Sequence, residues 1–285
     1  MRILVCVKAV PGSTEVKMDP KTNTIVRDGG SAVMNPFDAS ALEVALRLKD
    51  MAAGAGASGD GAAAGGAAAA GGAAGAPVHV TVLSMGIPDT ARLLRDCIAR
   101  GADDALLLSD RAFAGADTLA TTYALSRGVE ALGGGFDVVL CGKMAVDGDT
   151  AQIGPELAGA LGMPCVTDVR AVLSCGSGAL TVRRGSDAGV ATVEVTLPAV
   201  LTVAREAAQL RMPTIAGVRA AEGAEVPVLT AGQANADPAR CGLAGSPTQV
   251  VRSFVPERAD EAEAVEGTAA EQAAALVDLF KGMGL

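Results

Sequence analysis

Residues 136–155 read FDVVLCGKMAVDGDTAQIGP. The run from Phe136 to Leu140 is almost wholly apolar, as a strand buried on both faces of a parallel sheet requires. Cys141 to Pro155 then turns polar and leads into a helical pattern, so the stretch predicts strand, turn and helix start. In an open α/β sheet that junction leaves backbone N–H groups unpaired at the helix N-terminus, where they and the helix dipole favour a phosphate. Gly148 lets the backbone approach a ligand closely, Thr150 and Gln152 add side-chain donors, and Gly154-Pro155 shapes the helix entry. An ordinary Asp-Gly turn capping a helix would explain an isolated DGD. Two further segments count against that plainer reading: Val-Lys-Ala-Val-Pro at 7–11, after the first strand, and Asn35-Pro36-Phe37-Asp38 at another helix start.

Outward from this stretch, strand and helix patterns alternate. Ile3 to Val7 suits a central parallel strand, with Lys8 to Pro11 as the loop at its carboxyl end. Asn35 is placed to cap a helix with Pro36 at its first position, and Phe37, Ala41, Ala45 and Leu48 fall on one face, up to about Lys49. Val78, Val80 and Val82 form the next strand, Asp89 or Thr90 starts a helix bearing Leu93, Leu94, Cys97 and Ile98, and Ala105 to Leu108 is a strand again. Asp117 caps a third helix through Leu132. Such alternation implies parallel crossovers. From Ala171 to Val203 the pattern changes to alternating Val, Thr and charged residues around Gly-Ser-Asp-Ala-Gly at 185–189, which predicts a β-hairpin joined to a last apolar strand. The expected fold class is α/β, a mainly parallel, doubly wound, Rossmann-like sheet with an added hairpin and a C-terminal arm.

Residues 1–230 are expected to form the α/β domain and 231–285 the arm, which ends in a helix running from a capping box at Thr268-Ala-Ala-Glu271 to about Lys281. Residues 52–76 are almost purely Ala and Gly, lack the large side chains that offset ordering entropy, and predict a flexible loop. The GxGxxG match at Gly54, Gly56 and Gly59 follows a helix, not a strand, and so fails the context that a dinucleotide motif needs. Gly142-Lys143 falls short of a phosphate loop as well, because the glycine spacing before it is wrong and Met144 stands where Ser or Thr is needed.

Half of the 285 residues are hydrophobic, enough to bury one substantial core. A formal net charge of −9 argues against a nucleic-acid surface, which needs a field of the opposite sign. With no Trp, one Tyr and five Phe, the core is built from Ala, Val and Leu, and a planar cofactor must be held mostly by backbone and aliphatic contacts. Six cysteines include no CxxC pair and His79 is the one histidine, so the spacing for zinc or iron–sulfur ligation is missing and no metal residue is expected. Free thiols suit a reducing compartment. The N-terminal MRILVCVKAV is too short an apolar run for a signal peptide, and no stretch reaches the roughly 18 apolar residues of a membrane span. The expectation is a soluble, cytoplasmic protein.

The three segments CGKMAVDGDTAQIGP, VKAVP and NPFD together resemble the beta subunit of electron transfer flavoproteins. The resemblance covers most of the chain, continuing through GADDALLLSD at 101–110, LPAVLTV at 197–203 and Arg211-Met212-Pro213-Thr214-Ile215. It implies that an adenine nucleotide is held by four pieces. These are Ala9 after the first strand; Asn35, Pro36, Phe37 and Asp38 at the helix start; Met85 at the end of the second strand; and the loop after the fourth. That loop comprises Gly142, Lys143, Met144, Ala145, Val146, Asp147, Gly148, Asp149, Thr150, Ala151, Gln152 and Ile153. Met85 stands where some members have Cys, which makes its backbone the expected contact.

Carrier members of the family read AIDDD with CNQTG, whereas this chain reads AVDGDTAQIG and resembles members that bind a second, complete FAD. For that group the resemblance implies that NADH reduces the flavin at this subunit and that the two electrons then part. One goes to ferredoxin or flavodoxin, the other through the FAD of the alpha subunit to an acyl-CoA or related dehydrogenase or a quinone, which is electron bifurcation. Physically, Gly148 in place of an acid removes repulsion where a pyrophosphate would lie, and Thr150 and Gln152 add donors. Asp147 and Asp149 serve as caps or ribose contacts, or they stabilise the loop. No catalytic residue is expected, since hydride and electron chemistry belongs to the cofactor. Arg211 and Ile215 resemble the loop that recognises the partner dehydrogenase, with Ile215 as the exposed anchor, although Ala208-Gln209-Leu210 replaces the usual Asn-Glu-Pro. Arg205, Arg211 and Arg219 offer guanidinium groups, and Cys241 to Thr248 resembles a contact with the alpha subunit. Two other functions compete: a structural AMP in this pocket, in a non-bifurcating carrier for acyl-CoA dehydrogenases, and a free nucleotide-binding α/β domain that hydrolyses ATP.

Overall fold

A computed structural model describes residues 1–12, 32–54, 77–176, 178–251 and 264–284. From residue 55 onward the expected Ala/Gly loop, with Gly56 and Gly59 of the glycine pattern, lies outside them. The chain divides into two compact units, Met1–Gln249 and Val250–Leu285.

In the first unit the chain runs β1 (Arg2–Cys6), β2 (Ala9–Pro11), β3 (Ala32–Met34), α1 (Pro36–Ala52), β4 (His79–Met85), α2 (Thr90–Arg100), β5 (Asp104–Leu108), α3 (Thr118–Ala131), β6 (Val138–Gly142) and α4 (Ile153–Leu161). It continues through β7 (Cys165–Cys175), β8 (Ala179–Ser186), β9 (Gly189–Thr196), β10 (Ala199–Val203), α5 (Ile215–Glu222) and β11 (Val228–Leu229). The second unit carries α6 (Ala269–Gly282). Strands order as β11-β5-β4-β1-β6-β10-β7-β8-β9 in one sheet, while β2 and β3 form a small antiparallel ribbon. Pairing is parallel from β11 to β7 and antiparallel from β7 to β9. The expected α/β class is therefore observed, with its antiparallel part at one side.

Side-chain alternation along each strand builds two cores. From β1, Ile3 and Val5 join Leu42 and Leu46 of α1 and Leu94 and Cys97 of α2 on one face. Leu4 and Cys6 join Leu125 and Val129 of α3 and Leu157 of α4 on the other. A sheet covered on both faces explains why its strands read as continuous apolar runs. The chain steps from β1 to β4 and β5 on one side, and β6 lies on the other side of β1. Order thus reverses between β1 and β6, and their carboxyl ends bound the crevice where open α/β sheets bind ligands.

Three local expectations are adjusted. The fourth parallel strand begins at Val138, because Phe136 is drawn into the core beneath the Arg2 guanidinium, 4.4 Å from its ring centre, and Asp137 accepts the Arg2 N–H. The hairpin is a three-stranded meander, since β7 begins at Cys165 and breaks register near the left-handed Asp168 (φ 55°), which blurs its alternation. Helix α1 continues to Ala52, past Lys49.

Candidate functional site

Helix α1 starts beside the carboxyl ends of β1 and β6, and its first turn holds both loops. Asp38 sits within that turn, 6% exposed. Its Oδ2 accepts the Lys8 N–H at 2.8 Å and its Oδ1 the Gly142 N–H at 3.1 Å. A side chain at Gly142 has no room, because its Cβ would stand 2.7 Å from the Phe37 Cβ and run into the Asp38 carboxyl. Burial pushes the Asp38 carboxyl up to about 7, against hydrogen bonds from Asn35, Lys8 and Gly142 that pull it down.

Asn35 stands at the cap position of α1 but its side chain makes no capping bond. It reaches the other way: Nδ2 donates to the Met144 carbonyl at 2.8 Å and Oδ1 accepts the Val146 N–H at 3.3 Å. Pro36, at the first helical position, has no N–H to present and so needs no acceptor, which lessens the need for a side-chain cap. Lys8 Nζ pairs with Asp147 Oδ1 at 2.6 Å, the Asp147 side chain being 8% exposed. Asp38, Asn35 and Lys8 thus fasten the loop after β6 at 142, at 144 and 146, and at 147. Sequence reasoning had no role for the Lys8 side chain, whose partner lies far along the chain. Of the roles open to Asp147, the geometry supplies loop stabilisation.

Beyond Asp147 the loop is exposed from Gly148 to Gln152. A Cβ at Gly148 would meet nothing within 4 Å. Asp149 (φ 49°) and Ala151 (φ 53°) are both left-handed, an alternation that turns successive N–H groups to one side. The amides of Gly148 and Asp149 donate to Ala145, while those of Thr150, Ala151 and Gln152 meet no acceptor among the described residues. Helix α4 follows, and Gly154 packs so closely on Thr202 of β10 that a Cβ there would overlap the threonine methyl.

The remaining expected residues divide. Ala9 follows β1 and pairs with Met34 next to Asn35, and Met85 ends β4, the neighbour of β1, so both stand at the carboxyl ends of these adjacent strands. The Lys143 N–H bonds the Val203 carbonyl and its Nζ stands 3.3 Å from Asp168 Oδ1, towards β7. Ile153 opens α4 and is half-buried. Arg211 and Ile215 belong elsewhere. The Arg211 guanidinium is engaged by Glu43, at 3.0 and 3.1 Å, and by Asp50 at 2.8 Å, both on α1. Ile215, at the start of α5, is 79% exposed, so it is not a buried loop-closing residue. Arg205 and Arg219 are exposed.

Cys241 to Thr248, expected to contact another subunit, is anchored on its own chain at some positions and leaves Leu243, Pro247 and Thr248 exposed. Cys241 is buried, Asp117 N–H donates to Ser246 Oγ, and Thr248 Oγ1 donates to Asp117 Oδ2 at 2.8 Å, closing over the start of α3. Sequence reasoning also missed a polar cluster joining α3 to the loop: the Thr118 and Thr122 hydroxyls both reach Glu156, and Thr118 reaches Gln152. Its only sequence signal is the pairing of Thr118 with Thr122 at i, i+4. The described cysteines are free thiols. That of Cys141 is held well above its ordinary range by its hydrogen bond with Cys6 and by burial. Among the described residues no cluster is arranged to hold a metal, and no helix is long and apolar enough to cross a membrane.

Residues 60–234 match the family model described as "Electron transfer flavoprotein domain". The chain is 43% identical over 262 residues to the electron transfer flavoprotein subunit beta of Megasphaera elsdenii, covering 90% of this chain and 88% of that protein. It is 40% identical over 282 residues to the caffeyl-CoA reductase-Etf complex subunit CarD of Acetobacterium woodii, covering 99% and 98%. Against the protein FixA of Azorhizobium caulinodans, identity is 39% over 289 residues, covering 99% and 94%.

Proposed function

We propose a function from one premise, that the chain belongs to the electron transfer flavoprotein family in its beta-subunit branch. Paired with an alpha subunit, it binds FAD along the loop after β6 and accepts electrons from NADH. It passes one electron to ferredoxin or flavodoxin and the other, through the FAD of the alpha subunit, to a partner dehydrogenase. CarD is by its name a subunit of a complex with a reductase, which supports the same kind of assembly here.

Segment 148–152 carries this proposal. Its amides at Thr150, Ala151 and Gln152 meet no acceptor among the described residues and belong to exposed residues that follow a glycine with open space around it. Such a set fits the pyrophosphate of a dinucleotide: donors without competing acceptors, at the start of a helix. Ala9, Asn35 to Asp38, Met85 and Gly142 to Ile153 form the site, within which Asn35, Asp38 and Asp147 fix the loop and the later residues meet the ligand. Bound FAD supplies hydride acceptance and one-electron release. The chain binds, orients and shields it. Ile215, exposed on α5, meets the partner dehydrogenase, and Arg211 holds the Ile215 loop against α1.

Gly148→Asp tests the reading. Space is open at this position, so the variant folds as the parent does and adds only charge. FAD retained by the heterodimer should fall about tenfold or more, with AMP affected less, because repulsion at the second phosphate is returned. Unchanged FAD retention would remove the pyrophosphate from this segment.

A further inference from the structure

The hydrogen bonds between α3 and the loop leave one side-chain oxygen for the ligand. The Thr118 hydroxyl oxygen stands 3.0 Å from Glu156 Oε1 and 3.1 Å from the Gln152 Oε1 position. Thr122 supplies Glu156 Oε2 with its own proton at 3.0 Å. An ionised carboxylate only accepts, an amide head offers an acceptor on one side and two donors on the other, and a hydroxyl has one proton. Thr118 therefore cannot donate to both neighbours.

The carboxylate makes the stronger bond and takes the proton. The contact with Gln152 then holds only if the amide is turned by half a revolution, so that Nε2–H donates to Thr118 Oγ. The two amide heads have the same shape, and their assignment follows from the network. All protons then run one way, from Gln152 to Thr118 to Glu156, an arrangement in which each bond polarises the next. The half-turn carries the Gln152 oxygen away from Thr118, on an exposed residue of the segment whose Thr150 and Ala151 amides meet no acceptor among the described residues.

We propose that Gln152 is a specificity residue presenting an acceptor: its side-chain oxygen takes a proton from a nucleotide hydroxyl or amino group, while the backbone amides take the phosphates. This rests on the nucleotide reading of the site and reverses the sequence expectation that Gln152 serves as a donor. A phosphate oxygen has no proton to give at neutral pH, so within the adenosine half of the ligand, which AMP shares, the partner is a ribose hydroxyl or the adenine amino group. Thr118 is a positioning residue, since it acts through Gln152.

Equilibrium dialysis of the full chain, freed of nucleotide, decides the matter with four probes: AMP, 2′-deoxy-AMP, 3′-deoxy-AMP and IMP. The parent should bind one of the three analogues about fivefold to tenfold more weakly than AMP, the loss of one neutral hydrogen bond. Weaker 2′- or 3′-deoxy-AMP identifies a ribose hydroxyl, and weaker IMP identifies the amino group. In Gln152→Met that discrimination should vanish, with AMP itself weakened by the same factor. Thr118→Val should lose most of it, and Thr118→Ser should keep it. Equal binding of all four probes by the parent, or an equal loss for all four in Gln152→Met, overturns the assignment. If the parent binds none of them, the nucleotide site itself is refuted, an outcome separable from the others.

Discussion

At Asp38, burial and hydrogen bonding pull the carboxyl in opposite directions, and burial prevails, raising it to about 7 from an ordinary 3.8. The folded chain then holds a proton that the unfolded chain has released, so between about pH 4 and pH 7 the native state binds more protons. Stability from this group is complete below the lower value and is lost as pH rises through the upper one. Asp38→Asn removes that titrating group. Urea midpoints at pH 5 and pH 8 should show the stability of the parent relative to the variant falling at the higher pH, by an amount on the order of 1 kcal/mol or more. A difference that is the same at both values contradicts the shift. Ala151, at φ 53°, gives a second residue-scale expectation. A left-handed L-residue carries strain of roughly 1–2 kcal/mol, and glycine relieves it at an entropic cost of roughly 0.5–1 kcal/mol. Ala151→Gly should therefore stabilise by about 0.5–1 kcal/mol, or roughly 1–4 °C in Tm, with Ala151→Val moving the other way. Only part of this was legible beforehand. Asn35 and Asp38 were singled out from a helix-start pattern, but their partners Met144, Val146 and Gly142 lie more than a hundred residues away, and local spacing does not reveal them.

Elements were the most legible scale, because apolar periodicity is local. The crossover strands and helices stand within a few residues of their expected bounds, Asp117 accepts the Ala120 N–H as a cap should, and Thr268 and Glu271 form the capping box. Failures fall where tertiary contacts override the pattern: at Phe136, used as core before the strand begins, and in β7, whose bulge at Asp168 breaks the alternation. The junction of α4 with β10 yields a prediction at this scale. Thr202 is fixed by accepting the Asp168 N–H at 3.1 Å, and Gly154 lies against its methyl group. Gly154→Ala forces helix and strand apart despite alanine's better helix propensity. It should cost about 1–3 kcal/mol, measured by denaturant titration, as overpacking does. An alanine variant at least as stable as the parent would mean that the junction is looser than its geometry implies.

Across the whole molecule, the strand order places the reversal between β1 and β6, and the residues singled out from sequence gather there from stretches wide apart in the chain: Ala9, Asn35 to Asp38, Met85 and the loop after β6. The compact unit reaches Gln249, beyond Thr230 where composition changes, because small residues such as Ala231, Ala234 and Cys241 are buried without an apolar run to announce it. In the second unit, α6 exposes Leu276, Leu279 and Phe280, and Met283 just after it continues the same helical spacing as an apolar stripe. The central claim, that this chain holds a redox-active FAD, is tested most directly by co-expressing it with its alpha subunit, denaturing the purified heterodimer, and assaying released FAD and AMP in one extract. The account predicts two FAD and no AMP per heterodimer. One FAD with one AMP would contradict it and leave the chain as the structural half of a simple electron carrier.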